Sequence, residues 1–469
     1  MPIGHGIIDY LVVALSVVLT AWLLTRKPVL LLFWLPLLLT VDFFIPFLTQ
    51  ITPSRVVPLM IGAWLMLKGL FPPRKQHFLI FLVTFVGVGG SFIYSYFWHD
   101  LGTRSIFRSL HYFSLLFVFL FTAKFSAGRK GMVYSLMGLF FAALVHAAHA
   151  IYQQAAHILS LPYRGIIYSD SGGTVPVLAG PFLRVNGFAD EPKRLGYVLI
   201  TGALVGLLYM IRKRHFSGYL EHPARFFKLG NNFIMSGYIM TMLFGCFMTF
   251  SGSFFFAAAI TISVLILILS VRVISAILIA LPVLGVIAVV MSGFTTNYIV
   301  TLQELFEERM AEIDAGLESD NVYRQEFYAQ ALVAEDPTSL VFGLGIGRYN
   351  QVFSEEFGVG AGYDEYGALK PLNSQFYEVG FDLGMIGLLL LYLGCSLLFV
   401  RTRGRHWHRF VLSTLLLFLA IQSLFIDDKF YIAFVAALCV SLNHDFKQRS
   451  KEKGVPLEMK VSSAFVSLR

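Results

Sequence analysis

An all-α polytopic membrane protein, with about 12–13 transmembrane helices, is the fold class that the sequence predicts, on three observations. The first is composition. Of 469 residues, 57% are hydrophobic, 14% are charged and 46 are Phe, and the mean hydropathy is +0.72. Soluble domains carry about 25% charged residues; lipid tails, unlike water, accept this much apolar surface. The second is a run of apolar stretches near the length that crosses a bilayer, about 20 residues as helix. The third is that every cationic connection falls on one side once the stretches are threaded.

The spans read in order are 7–24, 29–50, 56–71, 78–97, 109–123, 131–157, 192–211, 232–250, 253–271, 273–293, 375–400, 410–426 and 429–443. The last is short, so twelve is the alternative count, and the hairpin at Ser251-Gly252-Ser253 is a second uncertain boundary. Met1 to Tyr10 has no basic region or small-residue cleavage site, so the first stretch is expected to stay as a helix. The cationic connections are Arg26-Lys27, Arg74-Lys75, Lys124 to Lys130, Arg212 to Lys228, Arg272, Arg401 to Arg409, and the tail from Lys447. Thirteen spans put them all in the cytoplasm and the N-terminus outside. The organisation is therefore 1–293 (ten spans and an outer loop at 159–191), a large outer loop at 294–372, C-terminal spans in 373–443, and a cytoplasmic tail at 444–469.

The large loop holds fourteen carboxylates against four cations, a net charge of −10 in a chain of +8. Its stretch Thr301 to Val333 mixes apolar and charged residues at helical spacing, which predicts an amphipathic helix. The overall balance of 36 basic and 28 acidic residues follows from orientation, so no nucleic-acid partner is expected. Cys246, Cys395 and Cys439 lie in apolar runs without a CxxC. Neither a disulfide framework nor a zinc site is expected.

Ionisable groups near a membrane are costly and point to function. The segment Arg184-Val-Asn-Gly-Phe-Ala-Asp190-Glu191-Pro192-Lys193-Arg194 opens a span. Pro192 suits a first helical turn, and Asp190 or Glu191 suits its cap. A helix N-terminus with Arg184, Lys193 and Arg194 makes an anion site; the plainer reading is a charge cluster paired with Asp190 and Glu191. Tyr323-Arg324 lies in the acidic loop with Arg348, and an Arg fork suits phosphate oxygens. A salt bridge to Asp320 or Glu326 is the plainer reading there.

Asn373-Ser374 precedes Glu378 and Asp382, four apart and on one helix face. They could supply a base, bind a cation, or simply be hydrated. Gly343-Leu-Gly-Ile-Gly347 has no βαβ surroundings and reads as a turn that lets backbone pass close by. His146, His149 and His157 read as a polar helix face. Asp42, Arg55, Arg104, Arg108 and His111 lie near outer ends of early spans, to join a lipid-phosphate site or anchor helices.

In order, these segments resemble the O-antigen ligase and polymerase family of bacterial membrane glycosyltransferases, over roughly residues 180 to 390. The family's Arg-x-x-Gly-Phe is here Arg184-Val-Asn-Gly187-Phe188, and its Thr-Phe-Ser-Arg is Thr249-Phe250-Ser251-Gly252, without the arginine. Asn-Val-Tyr323-Arg324 matches its second loop arginine, and Phe342-Gly-Leu-Gly-Ile-Gly347 its glycine turn. The ligase pattern His-(Asn/Ser/Gln), nine residues, Gly-x-x-Gly is here Asn373-Ser374, nine residues, Gly384-Met-Ile-Gly387. Asn373 stands where the resemblance implies a histidine general base in ligases, and Asn cannot accept a proton in that way. The resemblance therefore implies a polymerase rather than a ligase, on a GT-C-like fold with a periplasmic loop in the inner membrane.

What it implies further is a metal-independent glycosyltransferase with no cofactor, acting on a polyprenyl-diphosphate-linked oligosaccharide. The product would be O-antigen (lipopolysaccharide), exopolysaccharide or capsule. A chain-length regulator and a flippase are the protein partners it suggests. Arg184 and Arg324 would stabilise the diphosphate leaving group. Lys193, Arg194, Glu191, Arg348 and Tyr323 would support substrate binding. Asn373 would orient the acceptor, and Glu191, Glu326 or Glu378 would serve where a base is needed. A transporter or flippase is the reading from another class, but no paired repeats are evident.

Overall fold

The computed structural model describes residues 7–41, 52–70, 86–93, 103–163, 166–167, 174–175, 178–179, 182–189, 191–211, 232–251, 254–255, 257–260, 307, 311, 332, 337–358, 375–402, 414, 421, 431–439 and 441. Seven helices come first: α1 (Ile7–Arg26), α2 (Pro28–Thr40), α3 (Pro53–Leu67), α4 (Thr103–Phe125), α5 (Arg129–Ile158), α6 (Pro192–Ile211) and α7 (Asn232–Met248). Then come two short helices, α8 (Pro337–Phe342) and α9 (Tyr349–Phe357), and the long α10 (Gln375–Thr402). Residues 86–93 and 431–439 are also helical. The expected span at 273–293 and most of those at 410–426 and Thr301 to Val333 lie outside the described residues.

Among the described residues, Ile8–Arg26 and Lys130–Ile158 are long and apolar enough to cross a membrane, and Pro28–Thr40, Pro53–Leu67 and Phe233–Met248 are shorter apolar helices. α1 exposes Ile8, Leu11, Leu15, Val18 and Trp22, one stripe at helical spacing that lipid can cover.

Three boundaries differ from expectation, two of them for visible reasons. α3 ends at Leu67, short of the expected 71, because Gly69 (φ +58°) closes the helix. Leu70 N–H reaches Leu65 O and Gly69 N–H reaches Met66 O, both at 3.0 Å, the Schellman arrangement. α4 begins at Thr103, six residues ahead of the apolar run, because backbone hydrogen bonding does not stop where charge begins. That makes Arg108 a helical residue. α2 gives way to extended backbone at Val41 (φ −89°, ψ 117°).

The 159–191 connection adds strand to an otherwise helical fold. β1 (Ile166–Ile167) pairs antiparallel with β2 (Thr174–Val175), and β3 (Leu178–Ala179) with β4 (Phe182–Leu183).

α5 is the centre of the main core, packed on α2, α6 and α7. Small residues let the backbones approach, as in membrane helix pairs. A Cβ on Gly202 would lie 2.2 Å from that of Ala143, and one on Gly138 would lie 2.4 Å from Phe33 O. Buried hydroxyls bond back along their own helices. Thr20 reaches Ser16 O at 2.7 Å, Ser135 reaches Gly131 O at 3.0 Å and Thr201 reaches Tyr197 O at 2.8 Å. A hydroxyl without water needs such a partner.

Contacts also give direction. Ala143 faces Gly202, and Gln153 faces Asn186, so α6 runs back along α5. Gly196 and Gly202 of α6 meet Cys246 and Met242 of α7, which reverses direction again. Residues 431–439 run from Tyr431, against Tyr197, towards Ser441, against Ser126. The start of α4 therefore lies at the same end of the bundle as the start of α6.

Candidate functional site

Two polar constellations sit at that end. The first surrounds the start of α6. The helix begins at Pro192, and Glu191 O accepts the first helical bond from Leu195 N–H at 3.2 Å, the N-cap position expected for it. Lys193 Nζ lies 2.8 Å from Glu191 Oε2. Burial pushes the Glu191 carboxyl up, but the charges of Lys193, Arg194 and Arg184 together outweigh it and hold the carboxyl below its ordinary value. Arg184, Glu191, Lys193 and Arg194 thus form one group. Within it, the internal ion pair of the plainer reading is present between Lys193 and Glu191.

The depressed carboxyl gives a pH prediction with a definite sign. The pairing adds stability above the ordinary carboxylate range and loses it as pH falls through the lowered value. The side chain is 38% exposed, so screening limits the effect to below about 1 kcal/mol. The difference in unfolding midpoint between wild type and Glu191→Gln is expected to be largest at neutral pH and to narrow on acidification. A difference that stays constant with pH would contradict it.

The turn carrying Arg184 is held from three sides. Val185 N–H donates to Met248 O at 3.3 Å, and Phe182 stacks on Phe250 at 5.3 Å between centroids. This brings Thr249-Phe250-Ser251 against the Arg184 segment, joining two motifs about sixty residues apart in sequence. Phe188 stacks on His149 at 3.9 Å, and its N–H donates to His146 Nδ1 at 3.3 Å. His146 Nε2 is 3.0 Å from the Thr40 hydroxyl. His146 and His149 thus serve as packing and hydrogen-bonding groups, as expected of a polar helix face. Gln153 completes the hold on this turn.

The second constellation surrounds Asp382, which is fully buried. Arg108 Nε donates to Oδ2 at 3.0 Å, the Tyr112 hydroxyl donates to the same oxygen at 2.9 Å, and Gly347 N–H donates to Oδ1 at 3.0 Å. Arg108 also pairs with the buried Glu378. The Ser91 hydroxyl reaches Asp382 O at 2.7 Å, and Leu344 N–H reaches Phe381 O at 2.7 Å. α10 is broken at Gly384 (φ 62°, ψ −161°), where the glycine turn docks. A Cβ on Gly384 would lie 2.3 Å from Val341 O, and one on Gly343 would lie 2.5 Å from Phe381 O. The reading of Gly343 to Gly347 as a turn for close backbone approach is what this contact shows. Arg348 follows the turn, buried, at the start of α9.

Glu378 and Asp382, on one helix face as expected, are both paired with the chain's own Arg108. Sequence reasoning set Arg108 apart only as an anchor or lipid contact and passed over Tyr112, Ser91 and Gln153. A signal existed for the first two of the four: Arg108 and Tyr112, like Glu378 and Asp382, are four apart. Arg324, Tyr323, Asn373, Glu326, Asp190 and Gly252 lie outside the described residues. No group of three or more metal-ligating side chains occurs among the described residues.

Residues 237–392 match a family model described as O-antigen ligase. That stretch includes most of α7, the Thr249 turn, the glycine turn, Glu378 and Asp382. Arg184 and α6 precede it in sequence and touch it through Val185 and Phe182. No curated protein matches the chain.

Proposed function

We propose that this membrane protein, whose residues 237–392 match a family model described as O-antigen ligase, is a polysaccharide polymerase. It joins polyprenyl-diphosphate-linked oligosaccharide repeats on the periplasmic face of the bacterial inner membrane. The acceptor hydroxyl oxygen bonds to the donor's anomeric carbon, and the bond from that carbon to the diphosphate breaks. The electron pair leaves with polyprenyl diphosphate, and the hydroxyl proton passes to a base or to water. The observation that carries this reading is the gathering of Arg184, Lys193 and Arg194 at the start of α6, beside the matched segment. Positioned cations with a helix N-terminus stabilise a developing diphosphate charge without proton transfer.

Arg324 is assigned a second contact to the leaving group and Asn373 the orientation of the acceptor. Arg348 and Tyr323 would contact glycan. Glu191, held ionised among three cations, is a weak proton acceptor, and Glu378 is committed to Arg108; Glu326 is the remaining candidate where a base is needed. A periplasmic N-terminus and large loop, with a cytoplasmic tail, follow from placing the cationic connections in the cytoplasm. A flippase and a chain-length regulator would supply substrate and limit product.

The test uses the full chain in lipid vesicles with a polyprenyl-diphosphate oligosaccharide and no nucleotide sugar, ATP or added metal. A ladder of lipid-linked products on a gel is the expected result. Arg184→Ala and Arg324→Ala should each lower turnover by about 10²–10³-fold, the usual loss of one charge-stabilising donor. Wild-type ladders from both would overturn the assignment. Transfer only after a lipid A core acceptor is added would make the protein a ligase, the activity named in the matched family's description. No transfer in either arm would favour the transporter reading.

A further inference from the structure

We propose that Gln153 is a positioning residue for Arg184, an inference that rests on the leaving-group role given to Arg184 above. Gln153 lies one turn from the end of α5 and is 1% exposed. Its single amide makes four hydrogen bonds to the turn that follows Arg184. Oε1 accepts from Asn186 N–H at 3.2 Å and from Gly187 N–H at 2.8 Å. Nε2 donates to Asn186 Oδ1 at 2.8 Å and to Gly187 O at 3.3 Å. Two acceptor lone pairs and two N–H groups are what a Gln amide offers, and these four bonds engage both ends of it. Flipping it would set N–H against N–H, which fixes its orientation.

The turn cannot easily hold its shape alone. Gly187 has φ +61°, and a Cβ there would meet His146 Nδ1 at 3.1 Å and Leu195 Cδ1 at 3.0 Å. Asn186 Nδ2 donates to Ala189 O at 2.6 Å, which tightens the turn but ties it to nothing else. On its other side the Arg184 backbone is fixed by β4 and by Val185 N–H to Met248 O at 3.3 Å. Gln153 is therefore the fastening between α5 and the Asn186-Gly187 backbone, beside the contacts that His146 and His149 make with Phe188. An amide this deep in an apolar helix is costly unless all its bonds are made. Four of its hydrogen bonds go to one turn, the turn that carries Arg184.

The consequence is kinetic. A guanidinium displaced by about 1 Å loses on the order of 10²-fold in rate. Because the charge on the leaving group develops in the transition state, the loss falls on kcat. The experiment measures kcat and KM for a polyprenyl-diphosphate oligosaccharide with the full chain in lipid vesicles. The variants are Gln153→Ala and Gln153→Met, the second filling the space without hydrogen bonds. Unfolding midpoints identify which variant is folded.

In a folded Gln153 variant, kcat is expected to fall by about 10–10²-fold with KM within about threefold. The same substitution added to Arg184→Lys, whose turnover is already reduced, is expected to cost less than about twofold more, because residues acting as one unit are not additive. A folded variant with wild-type kcat, or a full multiplicative loss on the Arg184→Lys background, overturns the inference. Failure of the underlying reading looks different, since Arg184→Ala would then itself turn over like wild type.

Discussion

Replacing Arg108 by Ala is expected to destabilise the protein by about 3–5 kcal/mol, the usual result of removing one partner from a buried ion pair. The variant leaves Glu378 and Asp382, 2% and 0% exposed, as two carboxylates one helical turn apart with their shared cation gone. Asp382 keeps Tyr112 and Gly347 as donors, which satisfy lone pairs but do not balance charge. Arg108→Lys should lose less, since it restores charge, but a single ammonium cannot reproduce the fork that reaches both acids. Neutralising the cluster together, with Arg108→Met, Glu378→Gln and Asp382→Asn, should recover much of the loss. Thermal unfolding of the purified proteins in lipid or detergent reads all three. An unchanged midpoint for Arg108→Ala would mean that the acids are hydrated or otherwise neutralised.

Gly384→Ala should rival it in effect. At φ 62°, ψ −161° the backbone occupies a region reached essentially only by Gly, and a side chain there costs about 1–3 kcal/mol from strain alone. The added Cβ would also lie 2.3 Å from Val341 O and 2.5 Å from Gly343 N. Both contacts are with backbone, so relief requires the glycine turn to lift off α10. Lifting it would break the Gly347 N–H bond to Asp382 and the Leu344 N–H bond to Phe381 O. The measurements are the yield of monodisperse protein and the rate of protease cleavage within residues 337–358, with yield expected to fall and cleavage to rise. Gly380→Ala is the control. Its Cβ would meet only the Leu388 side chain, nearest at 3.3 Å, and it should behave almost as wild type. If Gly384→Ala matched that control, the kink would be incidental.

The two predictions share a physical origin, because α10 is interrupted where the outer loop docks. A broken helix leaves backbone groups to be satisfied at membrane depth, which is tolerated only where protein supplies the partners. Here Ser91 and Leu344 supply them from two separate stretches of chain. Charge enters for the same reason: Asp382 accepts a backbone N–H at the turn, and Arg108 balances the carboxylate that does so.

Much of the candidate site was legible before any coordinates. The Arg184 to Arg194 cluster is contiguous, so a local rule about helix starts and cations was enough to identify it. The glycine turn was legible as a position of close approach, and the Gly384-x-x-Gly387 pair only through the family resemblance. Their mutual contact was not, because nothing in a glycine names its neighbour. Arg108 illustrates the same limit for charge. An Arg near a span end has many partners available to it, and only packing selects Glu378 and Asp382. Gln153 went unnoticed because its partners are mostly backbone N–H and C=O groups, which every residue carries.

By itself the sequence determined the class of solvent, the approximate helices and the residues with chemical capacity. These follow from hydropathy, period and side-chain type, which are local properties read along the chain. Helix ends at Leu67 and Thr103, the short ribbons before Arg184 and the break at Gly384 belong to the tertiary structure. So do the union of Arg184 with the Thr249 turn and the joining of Arg108 to Asp382. Each depends on a hydrogen bond, an ion pair or a backbone contact, and several of these join groups distant in sequence. In an apolar environment every buried polar group must find a partner, but the identity of that partner is decided only when the helices pack.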